Sequence, residues 1–304
     1  MALKLLKKYD KLENMERIYI KDLKNKVGQE VKIAGWVDVR RDHGKLIFID
    51  LRDMSGKVQM VALPNHKEAH ETASKLRSEW VVEIIGKVNK RPGKMVNKDE
   101  ELGEVEVEIT EVKILSEAEI PFEKEAETNL DTYLDNLPLT LRTEKAKAVF
   151  KVQAEITKTF REFLNIEGFT EFQAPKLIGE DAEGGANSFD VAYFKHIAHL
   201  AQSPQLYKQI MVGVFERVFA VGNVYRAEKH STTRHLNEYT SLDIEMGFIK
   251  DHTDIMKMEN ALLKFMMNAL KETCAKEFEL LKASMPEVPE NIPAMKLREA
   301  QEII

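Results

Sequence analysis

A chain of 304 residues is longer than one hydrophobic core usually sustains, so two domains are expected. With 43% hydrophobic and 32% charged residues it reads as a folded, soluble protein rather than a disordered one, and no apolar run nears the roughly 20 residues that span a bilayer. A formal charge of −6 excludes a generally basic nucleic-acid binder and leaves room only for a local cationic stripe, while a single cysteine, Cys274, excludes an internal disulfide and reads as a small helix residue.

The opening MALKLLKKYDKLENMER lacks a secretory apolar segment, which points to the cytoplasm and to no membrane partner. Residues 1–26 read as an N-terminal extension, its first fourteen residues solvated, with Met15 a second candidate start. From 27 to 115 come short runs of period-two alternation: VKIAGWVDV, KLIFIDLRD, KVQMVAL, VVEIIGKV and EVEVEITEVKIL. A helical stretch, NHKEAHETASKLRSEW, separates the third from the fourth, and three strands, a helix and two strands is the order of an OB-fold barrel, a fold that commonly binds single-stranded nucleic acid.

Residues 116–142 are acidic, contain Pro121 and Pro138, and read as a hinge. A second domain is expected over 143–304. Lys145 to Glu167 carries a helical apolar stripe that ends at Gly168, and FTEFQAPKLI follows as a strand ended or edged by Pro175. RVFAVGNVYRAE and EYTSLDIEMGFI predict an antiparallel pair joined by the cationic turn KHSTTRHLN. DIMKMENALLKFMMNALKETCAKEF predicts an amphipathic helix whose methionines pack a core, and MKLREAQEII is a last helix-like run that looks cut. The fold class is therefore α+β, a barrel followed by a sheet flanked by helices.

Three clusters of the second half carry chemistry: EGG at Glu183 to Gly185, QSPQLYKQ at Gln202 to Gln209, and YRAEKHSTTRHLNE at Tyr225 to Glu238. Strand alternation places Arg226 and Glu228 on one face, and a guanidinium fork there suits a phosphate oxygen or a carboxylate. Taken singly, the Arg226 and Glu228 pair reads as a surface salt bridge, EGG as a solvated turn, and Phe48 in its barrel strand as core.

Together these clusters, with GWVDVRRDHGKLIFIDLRDMSGKVQ in the barrel, resemble the aspartyl-tRNA synthetases, class II enzymes that activate aspartate with ATP and Mg2+ and load it onto tRNA-Asp. The resemblance implies that Arg226 holds the α-phosphate as the catalytic arginine and also touches aspartate. It implies that Glu228 receives the adenine amino group and that Arg234, His235 and Leu236 cover the nucleotide. Lys208 would read the side-chain carboxylate with support from Gln205, and Glu183 would bind the α-ammonium from a closing loop. In the barrel, Phe48 would stack on an anticodon base that Gln59 reads, with Arg41 and Glu106 as further anticodon contacts. His43 resembles the residue of non-discriminating enzymes that also accept tRNA-Asn.

FTEFQAPKLIGE resembles motif 1 and implies a homodimer through the region of Pro175. Motif 3, with its second ATP arginine, and the acidic magnesium ligands before it are not found up to Ile304, so no metal ligand is assigned. Two rival readings remain: an asparaginyl-tRNA synthetase, which Lys208 suits poorly, and a non-catalytic tRNA-binding protein that retains the barrel and half of a synthetase.

Overall fold

The computed structural model describes residues 15–180, 187–230, 232 and 235–303. The chain divides into two compact units, 1–127 and 128–304, with the division inside the stretch 116–142.

In the first unit, β1 (Glu30–Asp42), β2 (Ile47–Asp53), β3 (Gly56–Ala62), β4 (Val81–Lys90) and β5 (Val105–Ser116) close a barrel in the order β1-β2-β3-β5-β4, with helix α1 (Lys67–Lys75) between β3 and β4. All pairings are antiparallel except β3 with β5, where Met60 lies beside Val107. This is the OB-fold arrangement the sequence predicts. Alternation supplies its interior: Ile33 and Val37, Ile49 and Leu51, Val58 and Met60, Ile84, and Val107 and Ile109 are all essentially solvent-free. Their neighbours along each strand face outward.

The core begins ahead of the first strand. Ile20 and Leu23, from a short 3-10 helix Ile20–Lys26, are fully buried in the barrel cluster, and Asp53 accepts the Ile20 amide at 2.9 Å. The extension expected over 1–26 is thus partly core: its two apolar residues are worth burying, whereas their lysine-rich neighbours in the sequence suggest solvent.

A charged cluster is sealed beneath the barrel's outer surface. Arg52 pairs with Glu79 and, at 3.4 Å, with Asp38, and its guanidinium lies 5.3 Å from the Trp36 ring. Lys124 reaches back from the stretch after β5 to pair with Asp38 and, at 3.7 Å, with Glu79. Burial alone pushes the Asp38 carboxyl up, but the hydrogen bond and charge of Lys124, with Lys57 and Arg52, outweigh it and hold the group below the usual carboxylate range. A folded value below the unfolded one, about 3.9, gives stabilisation that is present above that pH and lost as pH falls through the folded value. Both tryptophans, Trp36 and Trp80, belong to this unit, so their fluorescence reports its unfolding. Urea titrations followed in this way are expected to show falling stability below about pH 4, and Asp38→Asn is expected to flatten that fall.

In the second unit, helix α2 (Glu144–Ile166) starts at Thr143, whose hydroxyl accepts from the Ala146 amide at 3.3 Å. Strands β6 (Thr170–Glu171) and β7 (Leu177–Ile178) flank Pro175, and β8 (Asp190–Tyr193) and β9 (His196–Leu200) form a hairpin. Helix α3 (Gln205–Phe215) leads into β10 (Arg217–Tyr225), β11 (Glu238–Met246), α4 (His252–Thr273) and α5 (Ala275–Leu281). One sheet runs β11-β10-β6 and the other β7-β9-β8.

β10 and β11 pair in register from Arg217 opposite Met246 to Tyr225 opposite Glu238, as the sequence predicts. One face of the ribbon, with Phe219, Val221, Leu242 and Ile244, packs on Phe160, Phe163 and Leu164 of α2 and on Leu262 and Met266 of α4. Two expectations are corrected. FTEFQAPKLI is not one strand but two short ones, with Pro175, which has no N–H to give a ladder, in the stretch between them. The long methionine-rich helix breaks at Cys274, whose φ of −120° is not helical.

Candidate functional site

The face of the β10–β11 ribbon turned away from α2 is polar on β11. Ser241, Asp243 and Glu245 lie there at alternate positions, opposite Gly222, Ala220 and Val218 of β10. Lys208, one turn into α3, points onto it: its Nζ lies 3.2 Å from Asp243 Oδ1 and 3.6 Å from Glu245 Oε2, and its side chain is only 13% exposed. Ser241 donates to the other Asp243 oxygen. The residues before α3 are held tightly. Ser203 Oγ accepts the Gln205 amide at 3.1 Å, the Ala201 amide bonds to Lys176 O, and Ala201 O accepts the Tyr225 amide at 3.0 Å. Gln202 is buried and Gln205 is half-buried on the first turn.

Beyond Tyr225 the strand gives out, so Arg226 and Glu228 are not a same-face strand pair as alternation suggests. The Arg226 amide makes one more ladder bond, to Asn237 O at 2.9 Å, and Ala227 bonds instead to Asn187 O. Arg226 does not pair with Glu228. Its guanidinium lies over the Tyr239 ring at 6.0 Å, and its Nε is buried with no hydrogen-bond partner among the described residues. Glu228 faces His235 Nε2 at 3.7 Å, and the His235 ring lies 5.3 Å from that of His230. Leu236 is 55% exposed. Glu183 and Arg234 lie outside the described residues.

The barrel brings its four expected residues together on one outer patch. Phe48 is half-buried on the outside of β2, not in the core, with the His43 ring edge-on at 5.7 Å. Arg41 grips Asp50 with two bonds of 2.7 and 2.9 Å and reaches Gln59 Oε1 at 3.4 Å, while Gln59 Nε2 donates to Glu106 at 3.3 Å. The hydrogen bond that Arg41 donates to Asp50 raises the Arg41 pKa and keeps it a fixed cation. Arg91 adds a second guanidinium, donating to Gln59 Oε1 at 3.1 Å. An aromatic flanked by two arginines and an amide can stack an unpaired base and read its edge.

Two family profiles match: "OB-fold nucleic acid binding domain" over residues 31–115 and "tRNA synthetases class II (D, K and N)" over residues 129–304, more than half of the chain. The chain belongs to the class II tRNA synthetase family. Among its relatives, the aspartate–tRNA(Asp/Asn) ligases of Deinococcus radiodurans and Thermus thermophilus are each 45% identical to it, covering 95% of this chain and 64% and 66% of their own lengths. The chain thus spans just under two thirds of those synthetases. A solved structure, asparaginyl-tRNA synthetase from Pyrococcus horikoshii complexed with asparaginyl-adenylate, superposes with a TM-score of 0.84 at 32% identity, over 95% of this chain and 66% of that one.

The polar ribbon face carries Arg226 at one end and the largely buried Lys208, beside two carboxylates, at the other. Several residues escape a motif reading: Asp243, Glu245, Ser241 and Tyr239 on β11 of the ribbon and, separately, Asp50 and Arg91 in the patch on the barrel. A usable signal was present in SLDIE, where polar residues alternate with Leu242 and Ile244 in a strand both of whose faces meet protein. Among the described residues no three His, Cys, Asp or Glu side chains gather as a metal site.

Proposed function

We propose that this chain carries the amino-acid-activating and anticodon-reading parts of an aspartate–tRNA ligase. The observation that carries this reading is Lys208: a largely buried ammonium beside two carboxylates, on the same ribbon face as Arg226. The names of the Deinococcus and Thermus relatives point the same way. At roughly 3.3 Å per residue, the backbone from Ala220 to Arg226 runs about 20 Å, a span that suits an amino acid joined to a nucleotide.

In this mechanism Lys208 binds the side-chain carboxylate of aspartate, with Gln205 beside it and Glu183 taking the α-ammonium. The α-carboxylate attacks the α-phosphorus of ATP, forming the mixed anhydride and releasing pyrophosphate. Arg226 stabilises the charge that builds on the phosphoryl oxygens through its guanidinium, while Glu228, Arg234, His235 and Leu236 hold the nucleotide. The 3′-terminal hydroxyl of tRNA then takes the aspartyl group and AMP leaves. ATP is the energy source, magnesium is supplied with it, and the setting is cytoplasmic.

The barrel patch reads the anticodon. Phe48→Ala removes one stacking platform and is expected to weaken tRNA-Asp binding by about 1–3 kcal/mol in filter-binding titrations while leaving adenylate formation unchanged. The His43 ring against Phe48 and the Asp/Asn names of the relatives favour acceptance of tRNA-Asn as well. Exposed Val149 and Phe150 on α2, with exposed Pro175, favour a homodimer through this region. Charging of tRNA-Asp and tRNA-Asn transcripts with aspartate tests the whole proposal: aspartyl-tRNA is the expected product, and asparaginyl-tRNA alone would favour the asparaginyl reading suggested by the Pyrococcus structure.

A further inference from the structure

Lys176 follows Pro175 just before β7, and its side chain lies across the ribbon face. A Cβ built on Gly222 would stand 3.2 Å from its Nζ and 3.4 Å from its Cε. Gly222 is directly opposite Ser241, the residue whose hydroxyl donates to Asp243, so the amine shares one face with Asp243 and Lys208. The Lys176 carbonyl also accepts the Ala201 amide, which ties this lysine to the segment that positions α3. Among the described residues its amine has no hydrogen bond or ion pair. Burial lowers its pKa, and the Asp243 charge acts in the opposite direction, which marks the carboxylate as its electrostatic neighbour.

The charges explain why a second lysine belongs here. Lys208 faces both Asp243 and Glu245, so Lys208 alone leaves one carboxylate uncompensated. An acidic substrate side chain would then enter a site with surplus negative charge, whereas a neutral amide would not feel it. Glycine at 222 leaves room for the second amine, since a Cβ there would stand within 3.2 Å of it.

We propose that Lys176 is a specificity-determining residue of the amino-acid pocket: its ammonium offsets the Asp243 carboxylate, so that Lys208 can hold the side-chain carboxylate of an acidic amino acid. The inference rests on the aspartate-activating reading above. Calorimetric titration of the unaltered chain, Lys176→Met and Lys176→Arg with aspartate and with asparagine tests it. The expected result is an aspartate Kd raised about tenfold in Lys176→Met, an asparagine Kd within about twofold of the unaltered chain, and recovery of most aspartate affinity in Lys176→Arg. An unchanged aspartate Kd in Lys176→Met, or an equal loss for both amino acids, overturns the proposal and makes the lysine merely structural. Absence of aspartate binding by the unaltered chain overturns the aspartate-activating reading and this inference with it.

Discussion

Replacing Lys208 with methionine is expected to raise the aspartate concentration needed for half-maximal adenylate formation by about 10²–10³-fold. Methionine keeps the length and apolar stem of the side chain, so packing against α3 and the ribbon is largely retained. The lost group is an ammonium with 13% side-chain exposure, 3.2 Å from Asp243 and 3.6 Å from Glu245. Removing one partner of a desolvated, hydrogen-bonded charge pair typically costs about 2–5 kcal/mol, much of it from the carboxylates left behind. In this site those carboxylates would also repel the incoming aspartate. The KM for ATP should move by less than about twofold, because Arg226, the proposed nucleotide ligand, lies farther along the ribbon. An aspartate KM within a few-fold of the unaltered value would remove Lys208 from the pocket.

Arg226→Ala is expected to lower the turnover of adenylate formation by about 10²–10³-fold, the cost of losing one preorganised donor to developing charge. Arg226 Nε is buried and has no acceptor among the described residues, while the guanidinium rests over Tyr239, so the group is oriented before any ligand arrives. Lysine restores the charge but not the planar fork, and Arg226→Lys is expected to recover only a small part of the rate. Steady-state kinetics of both variants, with the loss falling mainly on kcat, checks this. Full activity of Arg226→Ala would mean that the orphan nitrogen serves packing instead.

The barrel was legible in the sequence because each strand buries one face. Runs such as VKIAGWVDV announce both the strand and the inward side, and the helix after β3 completes the order. The β10–β11 pair was legible for the same reason. What was not legible followed from tertiary partners. Ile20 and Leu23 sit in a lysine-rich stretch, and only the barrel's open end makes them core. The strand expected to carry Arg226 and Glu228 stops at Tyr225 because the Ala227 amide turns to Asn187, a partner distant in sequence.

The site divides in the same way. Lys208 and Arg226 stood out through short motifs, whereas Asp243, Glu245 and Lys176 needed the register of β10 against β11 before they could be placed beside them. Strand alternation names the residues on a face, but only pairing shows which lysine from another element lies above them. On the barrel the same holds for Arg91, which enters the Phe48 patch from the loop after β4.

The most direct test of the central claim is aspartate-dependent exchange between pyrophosphate and ATP on this 304-residue chain, with asparagine as the control amino acid. Exchange with aspartate and little with asparagine is the predicted result, since the proposed mechanism needs both Lys208 to read the carboxylate and Arg226 to bind the phosphate. Exchange driven by asparagine in preference to aspartate, or none with either, would contradict it.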